Sequence, residues 1–214
     1  MKKEQKFAKD LINFIDESPS AFHATKNVED KLVKEGFTKL NLEDKWNLEK
    51  EGKYYTVKNS SAIIGFEIGK GEVEIDGFKL IGAHTDAPTF KIKPSPEITV
   101  EDKYLKLNTE VYGGPILNTW FDRPLSIAGR VSVKGDNPLK PGELLVDIEK
   151  PITIIPNLAI HMNREVNKGV EINAQKDTLP LVANINKDFE KDNFLLKLIS
   201  KKLDIDLDDI LDFE

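Results

Sequence analysis

Hydrophobic residues at helical spacing open the chain and predict two helices. The apolar face of the first helix consists of Phe7, Leu11, Phe14 and Ile15. Ser20 is a suitable N-cap for the second helix, and Gly36 is a suitable stop after it. We expect both to be plain amphipathic helices without a catalytic role.

From Lys53 onwards the spacing of apolar residues changes to that of strands. Segments 55–57 and 62–68 flank a polar stretch and predict a β-hairpin. Residues 78–83 form a short run that is apolar at consecutive positions, which is typical of a strand buried on both faces. Two helices followed by such strands predict the beginning of a layered α/β domain over residues 1–89.

Short strands with turn signals between them dominate the chain after residue 90. They are predicted at 98–107, as a hairpin around residues 101–103, and at 125–133, 144–148 and 152–155. This close spacing is typical of a compact β domain, whose strands we expect up to about residue 185. Apolar positions after residue 194 predict a helix, and those in 204–214 indicate a second helix without a cap. We therefore assign residues 90–214 to a β-rich domain with terminal helices, and expect the chain to be the front part of something longer.

Composition narrows the class of protein. The 214 residues are 39% hydrophobic and 32% charged, which permits a substantial core and excludes a disordered tail. The net charge of −6 argues against a nucleic-acid partner, and no apolar run approaches the ~18 residues that cross a bilayer. The charged opening residues do not resemble a secretory signal, so we expect a cytoplasmic protein. Cysteine is absent, and any metal must therefore be held by His, Asp or Glu.

His84 is the most informative of the three histidines. It directly follows the apolar run 78–83, and ligands of α/β sheets gather at the carboxyl ends of strands. In an extended chain Asp86 shares a face with His84, so its carboxylate can accept the imidazole N–H and leave the other ring nitrogen for a metal. The alternative is a His–Asp pair that only ties down a loop.

Three further groups of residues are candidates for a function. Two glycines and an aromatic pair beside Asp122 and Arg123 predict a pocket or an interface, or else a bulged strand end with a local ion pair. His161 lies in a segment rich in amides and is predicted either to bind a substrate carboxylate or to complete a buried hydrogen-bond network. His23, early in the second helix, is predicted to cap or pack that helix.

Four longer motifs follow one another along the chain. They are SPSAFHA at 18–24, GAHTDAP at 82–88, YGGPILNTWFDRPL at 112–125 and IHMNREVN at 160–167. Together they resemble the aspartyl aminopeptidase family of zinc metallo-aminopeptidases, which includes vacuolar aminopeptidase I. The resemblance covers about residues 18 to 180, and the shared order makes it specific.

The resemblance implies a fold, a cofactor and roles for single residues. The fold is an α/β zinc-exopeptidase catalytic domain interrupted by a β-rich dimerisation domain, and the enzyme works as a homo-oligomer. His84 matches a ligand of one of two zinc ions, which polarise the scissile carbonyl and activate a water. Asp86 matches the catalytic-site aspartate that orients this ligand. His161 matches a histidine that reaches the neighbouring subunit's active site and contacts the peptide substrate, whose N-terminal residue is acidic or, in other members, neutral.

The chain departs from this family in what it lacks. Such enzymes need a Glu-Glu pair and a last histidine after the inserted domain, but no Glu-Glu pair occurs and no histidine follows His161. The resemblance therefore implies that the chain is the N-terminal portion of such an enzyme, without most of the metal site. We expect negligible peptidase activity from it alone. The alternative is a non-catalytic self-association or scaffold module in which His84 is merely structural.

Overall fold

The computed structural model describes residues 2–185 and 192–214, which divide into two units. One unit spans Met1–Ala87 and the other Pro88–Glu214. The division falls two residues before the boundary expected from the sequence. The assignment of the two parts to a catalytic and a dimerisation domain stays a prediction.

The first unit combines two helices with a small sheet. Helix α1 spans Lys3–Asp16 and α2 spans Ala21–Lys34, and a single helical turn, α3, follows at Val73–Asp76. The strands β1 (Thr38–Lys39), β2 (Lys53–Lys58) and β3 (Ala62–Glu67) form one sheet in that order. β1 runs parallel to β2, and β2 and β3 form the predicted antiparallel hairpin.

The predicted ends of α2 are confirmed. The Ser20 hydroxyl accepts a hydrogen bond from the His23 main-chain N at 3.4 Å, and it lies 2.8 Å from His23 Nδ1. This arrangement satisfies an N–H group that the first turn of a helix leaves without an internal partner. Gly36, just beyond the helix, has φ +81°, a conformation that glycine adopts without steric cost. Ser20 is therefore the cap of α2, and His23, which was predicted to cap or pack this helix, contacts the cap hydroxyl through its ring.

The prediction of a buried strand over residues 78–83 is wrong. No strand is assigned there, and Phe78 and Leu80 are 78% and 90% exposed. A consecutive apolar run forms a buried strand only where neighbouring strands pair with it and layers cover both of its faces. Within the described part of the first unit, the buried side chains belong to α2 and β2, and none lies against this run; they are Phe22, Ala24, Thr25, Tyr55 and Thr56.

The second unit is mainly β. Its strands are β4 (Thr89–Val100), β5 (Tyr104–Tyr112), β6 (Pro124–Leu125), β7 (Ala128–Asn137), β8 (Lys140–Asp147), β9 (Thr153–Ile154), β10 (Leu181–Asn184) and β11 (Ile210–Phe213). They form a five-stranded sheet, β4-β5-β10-β9-β6, and a three-stranded sheet, β11-β7-β8. The pairs β4–β5 and β7–β8 are antiparallel hairpins, as the alternation of apolar residues predicted.

Helix α4 (Phe194–Leu203) packs against the three-stranded sheet and completes its core. The buried members of this core are Val131, Val146, Ile148, Leu195 and Ile199. The Glu97 carboxylate on β4 accepts a hydrogen bond from Leu195 N at 3.0 Å. A carboxylate at this position complements the positive end of the helix dipole, so it fixes the start of α4.

The prediction of a second helix over residues 204–214 is wrong. Asp204 ends α4 in the left-handed region with φ 55°. A short 3₁₀ turn at Leu207–Asp209 follows, and then β11 pairs antiparallel with β7, with Phe213 opposite Val131. Pairing with β7 brings Ile210 and Phe213 against the core of the second unit, a burial that the spacing of apolar residues along a single sequence does not reveal.

Within residues 2–185 and 192–214, no helix has both the length and the apolarity needed to cross a membrane.

Candidate functional site

His84 and Asp86 lie side by side in an exposed segment of the first unit. His84 Nδ1 is 2.7 Å from the main-chain oxygen of Asp86 and 3.3 Å from its carboxylate Oδ1. The His84 side chain is 81% exposed. The structure thus brings these two predicted site residues together, and the imidazole does not lie in a sealed apolar interior.

The contacts of Nδ1 define which ring nitrogen is available to a metal. A carbonyl oxygen only accepts hydrogen bonds, so Nδ1 carries the proton in this contact. Nε2 of the neutral ring then holds a lone pair, which is the form of histidine that coordinates metals. The arrangement therefore fits one metal-ligand position.

Thr85 anchors the segment that carries His84. Its hydroxyl donates a hydrogen bond to the Ser61 main-chain oxygen at 2.7 Å, at the turn between β2 and β3. The sequence analysis missed this contact, because nothing in the spacing of residues indicates which turn Thr85 reaches. The contact fixes the residue between the two site residues, so it limits how far both can move.

The described residues do not form a complete metal site. Zinc in proteins takes about four ligands, of which a catalytic site supplies about three from side chains. Among residues 2–185 and 192–214, no three metal-ligating side chains come together around one position. His84 fits one ligand position, and the donor set is otherwise incomplete in the part of the chain that the structure describes.

His161 lies in the second unit, at the exposed tip of a turn. The Ala159 oxygen accepts hydrogen bonds from Met162 N at 2.8 Å and from Asn163 N at 3.2 Å. His161 itself is exposed. The alternative of a buried hydrogen-bond network is therefore wrong, and the role of His161 in substrate binding stays a prediction.

The amides that follow His161 shape the loop in which it lies. Asn173 Oδ1 accepts from the main-chain N of Gln175 at 3.0 Å and of Lys176 at 3.2 Å. Gln175 in turn accepts a hydrogen bond from Lys93 Nζ on β4 at 3.0 Å. These two side chains satisfy backbone and side-chain donors near the end of a long connection.

The segment between β5 and β6 is a structured connection in the second unit. Trp120 packs edge-on against Phe90, with ring centroids 5.0 Å apart and an interplanar angle of 85°. The Asp122 carboxylate accepts a hydrogen bond from the Asn157 main-chain N at 3.0 Å. The sequence offered a pocket or an interface, or else a bulged strand end with a local Asp122–Arg123 pair, and none of these predicted a contact with Asn157, which is remote in sequence.

The sequence and the fold both match one group of known proteins. A profile of the family described as "Aminopeptidase I zinc metalloprotease (M18)" matches residues 14–214. A "Probable M18 family aminopeptidase 2" from Clostridium novyi (strain NT) is 60% identical over all 214 residues, which make up 49% of that protein. A relative with the same description from Clostridium acetobutylicum is 56% identical over the same length.

Solved structures show the same likeness. Chaetomium thermophilum mApe1 has a TM-score of 0.85 and 31% identity, covering 97% of this chain and 49% of that one. The S. cerevisiae mApe1 dodecamer has a TM-score of 0.79 and 26% identity, covering 98% of this chain and 47% of that one.

These matches show the mixed α/β fold of a family described as zinc metalloproteases, as the motifs predicted. More specifically, the chain belongs to the M18 family of aminopeptidases. It spans about half the length of the curated relatives that it matches.

Proposed function

We propose that this chain forms part of a cytoplasmic, zinc-dependent aminopeptidase that releases N-terminal residues from peptides. The observation that carries the proposal is the geometry of His84, whose Nδ1 faces two oxygens of Asp86 and whose other ring nitrogen, Nε2, is the one left for a metal. Membership of a zinc metalloprotease family supports the same chemistry.

In this proposal each of the three site residues has a different role. His84 supplies one ligand to one of two zinc ions, and the remaining ligands come from outside the described residues. Asp86 orients the imidazole through its carboxylate and its main-chain oxygen. His161, exposed at the tip of its turn, contacts the peptide bound in a neighbouring copy of the protein.

We also propose that the protein is a homo-oligomer built on dimers. One structural relative is described as a dodecamer, and the second unit here contains the sheets that the motifs assign to dimerisation. Light scattering on the 214-residue chain tests this proposal. We expect a dimer, and a monomer at high concentration would contradict it.

The family resemblance leaves two preferences for the N-terminal residue open, an acidic residue or a neutral one. Matched aspartyl, glutamyl and leucyl substrates that share one leaving group distinguish these preferences.

A hybrid enzyme gives the sharpest test of the proposed activity. In this hybrid enzyme the 214 residues replace the matching half of the Clostridium novyi relative, which is 60% identical to them. We expect the hybrid enzyme to hydrolyse these substrates when zinc is present, and the 214-residue chain to show negligible activity. The unmodified relative is the positive control.

The second candidate function is a non-catalytic self-association module. It is favoured by the incomplete metal-ligand set among the described residues. An inactive hybrid enzyme, together with a dimeric 214-residue chain and an active unmodified relative, would support this module and contradict the peptidase. Robust zinc-dependent turnover by the 214-residue chain would contradict the incomplete site.

A further inference from the structure

The loop that carries His161 is long, and its two ends are held together. Ile154 of β9 and Leu181 of β10 pair directly, so the connection between them starts and finishes at the same place. The connection contains the short 3₁₀ turn Val166–Lys168 and otherwise no helix or strand. Connections longer than about 12–15 residues without secondary structure are uncommon in compact domains and usually have a function.

Asp122 forms hydrogen bonds with the beginning of this loop on both sides of Pro156. Its main-chain N donates a hydrogen bond to the Ile155 oxygen at 2.9 Å. Its carboxylate accepts one from Asn157 N at 3.0 Å. Ile155 is fully buried, so the first of these two hydrogen bonds is made to a residue of the core.

The backbone of Asp122 is held in an uncommon conformation. Its φ of 57° lies in the left-handed region, which aspartate and asparagine tolerate better than most residues. Residues held in sparsely populated regions persist where the surrounding structure determines them, and they cluster at functional positions. At Asp122 this conformation accompanies the two hydrogen bonds to the loop.

The two residues that Asp122 binds, Ile155 and Asn157, lie close to His161 along the chain. Leu158 N donates to Asn157 Oδ1 at 2.9 Å, and the next residue, Ala159, accepts the two hydrogen bonds that form the turn with His161 at its tip. Hydrogen bonds therefore restrain the chain at Asn157 and Leu158 and again in the turn that begins at Ala159, with no residue between the two groups. Loss of the hydrogen bond between Asn157 N and the Asp122 carboxylate removes the restraint on the residues that precede the turn.

We propose that Asp122 is a positioning residue for His161: it fixes the origin of the loop, and through it the direction in which the imidazole is presented to a peptide substrate. The inference rests on the proposed role of His161 as a substrate contact.

Two substitutions separate the hydrogen bond from the backbone conformation. Asp122→Gly keeps the left-handed φ without steric cost but removes the acceptor. Asp122→Asn also tolerates this φ and keeps an acceptor oxygen. A variant that only disturbs folding lowers the melting temperature, whereas loss of positioning loosens the loop in a chain that remains folded.

Backbone ¹⁵N relaxation on the whole 214-residue chain tests the inference. In the wild type and D122N, we expect order parameters near ~0.85 at Asn157 and His161, and in D122G values below ~0.6 at both residues. The melting temperature should stay unchanged in all three. Equal order in D122G and the wild type, or a wild-type His161 that is already below ~0.6, would overturn the inference.

Peptidase kinetics of the hybrid enzyme separate this inference from the proposed function. We expect His161→Ala to lower kcat/KM by about tenfold, as loss of a substrate hydrogen bond does. D122G should also lower kcat/KM, by raising KM. D122N should have the KM of the unsubstituted hybrid enzyme. If H161A has no effect while D122G still loosens the loop, the substrate role fails and the anchoring stands. If H161A lowers kcat/KM and D122G changes neither KM nor loop order, the positioning role is overturned.

Discussion

At His84, two oxygens of a single residue face the same ring nitrogen. The main-chain oxygen of Asp86 is closer, at 2.7 Å, than the carboxylate, at 3.3 Å. Groups that orient a metal ligand typically contribute ~10–100-fold to metal affinity. Because the carbonyl remains when the side chain is removed, we expect Asp86→Ala in the hybrid enzyme to weaken zinc binding by only about tenfold. Competition with a chromophoric chelator measures this, and unchanged affinity would contradict the contact.

Glu214 shows how one carboxylate joins two strands of the second unit. It accepts hydrogen bonds from Lys91 Nζ on β4 at 2.7 Å and from Arg130 Nη2 on β7 at 2.9 Å. The hydrogen bond from Lys91 is the main cause that lowers the pKa of Glu214 below the ordinary glutamate value of 4.5, while partial burial acts in the opposite direction.

A lowered carboxyl pKa predicts how stability changes with pH. The contribution of Glu214 is fully present above pH 4.5 and is lost as the pH falls through its lower folded-state pKa. At pH 7 we expect Glu214→Gln to lower the free energy of unfolding by about 0.5–1 kcal/mol, since the pair is partly exposed. Below the folded-state pKa the two proteins should be equally stable. Urea unfolding across this range measures the difference.

The control for this experiment is Glu171→Gln, which removes the charge of an exposed carboxylate elsewhere in the same unit. Its effect should be smaller and should change less with pH. A difference between wild type and E214Q that is the same at every pH would contradict the role of the ion pairs.

At this scale the sequence predicted local neighbours but not remote ones. The approach of Asp86 to His84 follows from their spacing in an extended chain. Two other hydrogen bonds join residues that are far apart in sequence. They link Thr85 to Ser61 and Asp122 to Asn157. Each depends on where the chain returns after several turns, and a single sequence without relatives contains no signal for that.

Among the elements, β11 gives the clearest test of how the second unit is built. Phe213 packs against the core beneath α4, whereas Leu211 is 54% exposed. We expect Phe213→Ala to lower the free energy of unfolding by about 2 kcal/mol, less than for a fully buried phenylalanine, and Leu211→Ala by less than about 0.5 kcal/mol. Chemical denaturation measures both. Equal losses of stability in the two variants would contradict the placement of Phe213 against the core and of Leu211 at the surface.

The elements that the sequence predicted correctly are those whose stability is local. The hairpin β2–β3 is specified by alternation on either side of a polar turn, and α2 by its own cap and stop. Residues 78–83 and 204–214 were misassigned because their conformation depends on partners. The first lacks a paired strand among the described residues, and the second finds one in β7.

On the scale of the whole molecule, apolar burial differs between the two units. The second unit has a closed core between a sheet and α4. In the first unit, Phe7, Leu11 and Ile15 on α1 are exposed, together with Phe78 and Leu80. Contiguous exposed apolar surface is typical of sites that bind a protein, a membrane or a ligand. The hybrid enzyme adds the rest of a related aminopeptidase to these residues, so it is the protein in which activity is measured.

Zinc content of the hybrid enzyme tests the central claim, that His84 is a metal ligand in an aminopeptidase, most directly. We expect His84→Ala to remove about one of the two zinc ions per chain, as loss of one of about four ligands weakens a site. Lys79→Ala, which changes an exposed side chain of the same segment, should leave the content unchanged. Elemental analysis of the purified proteins measures both. If H84A retains the full zinc content of the unsubstituted hybrid enzyme, His84 is not a zinc ligand and the account is wrong.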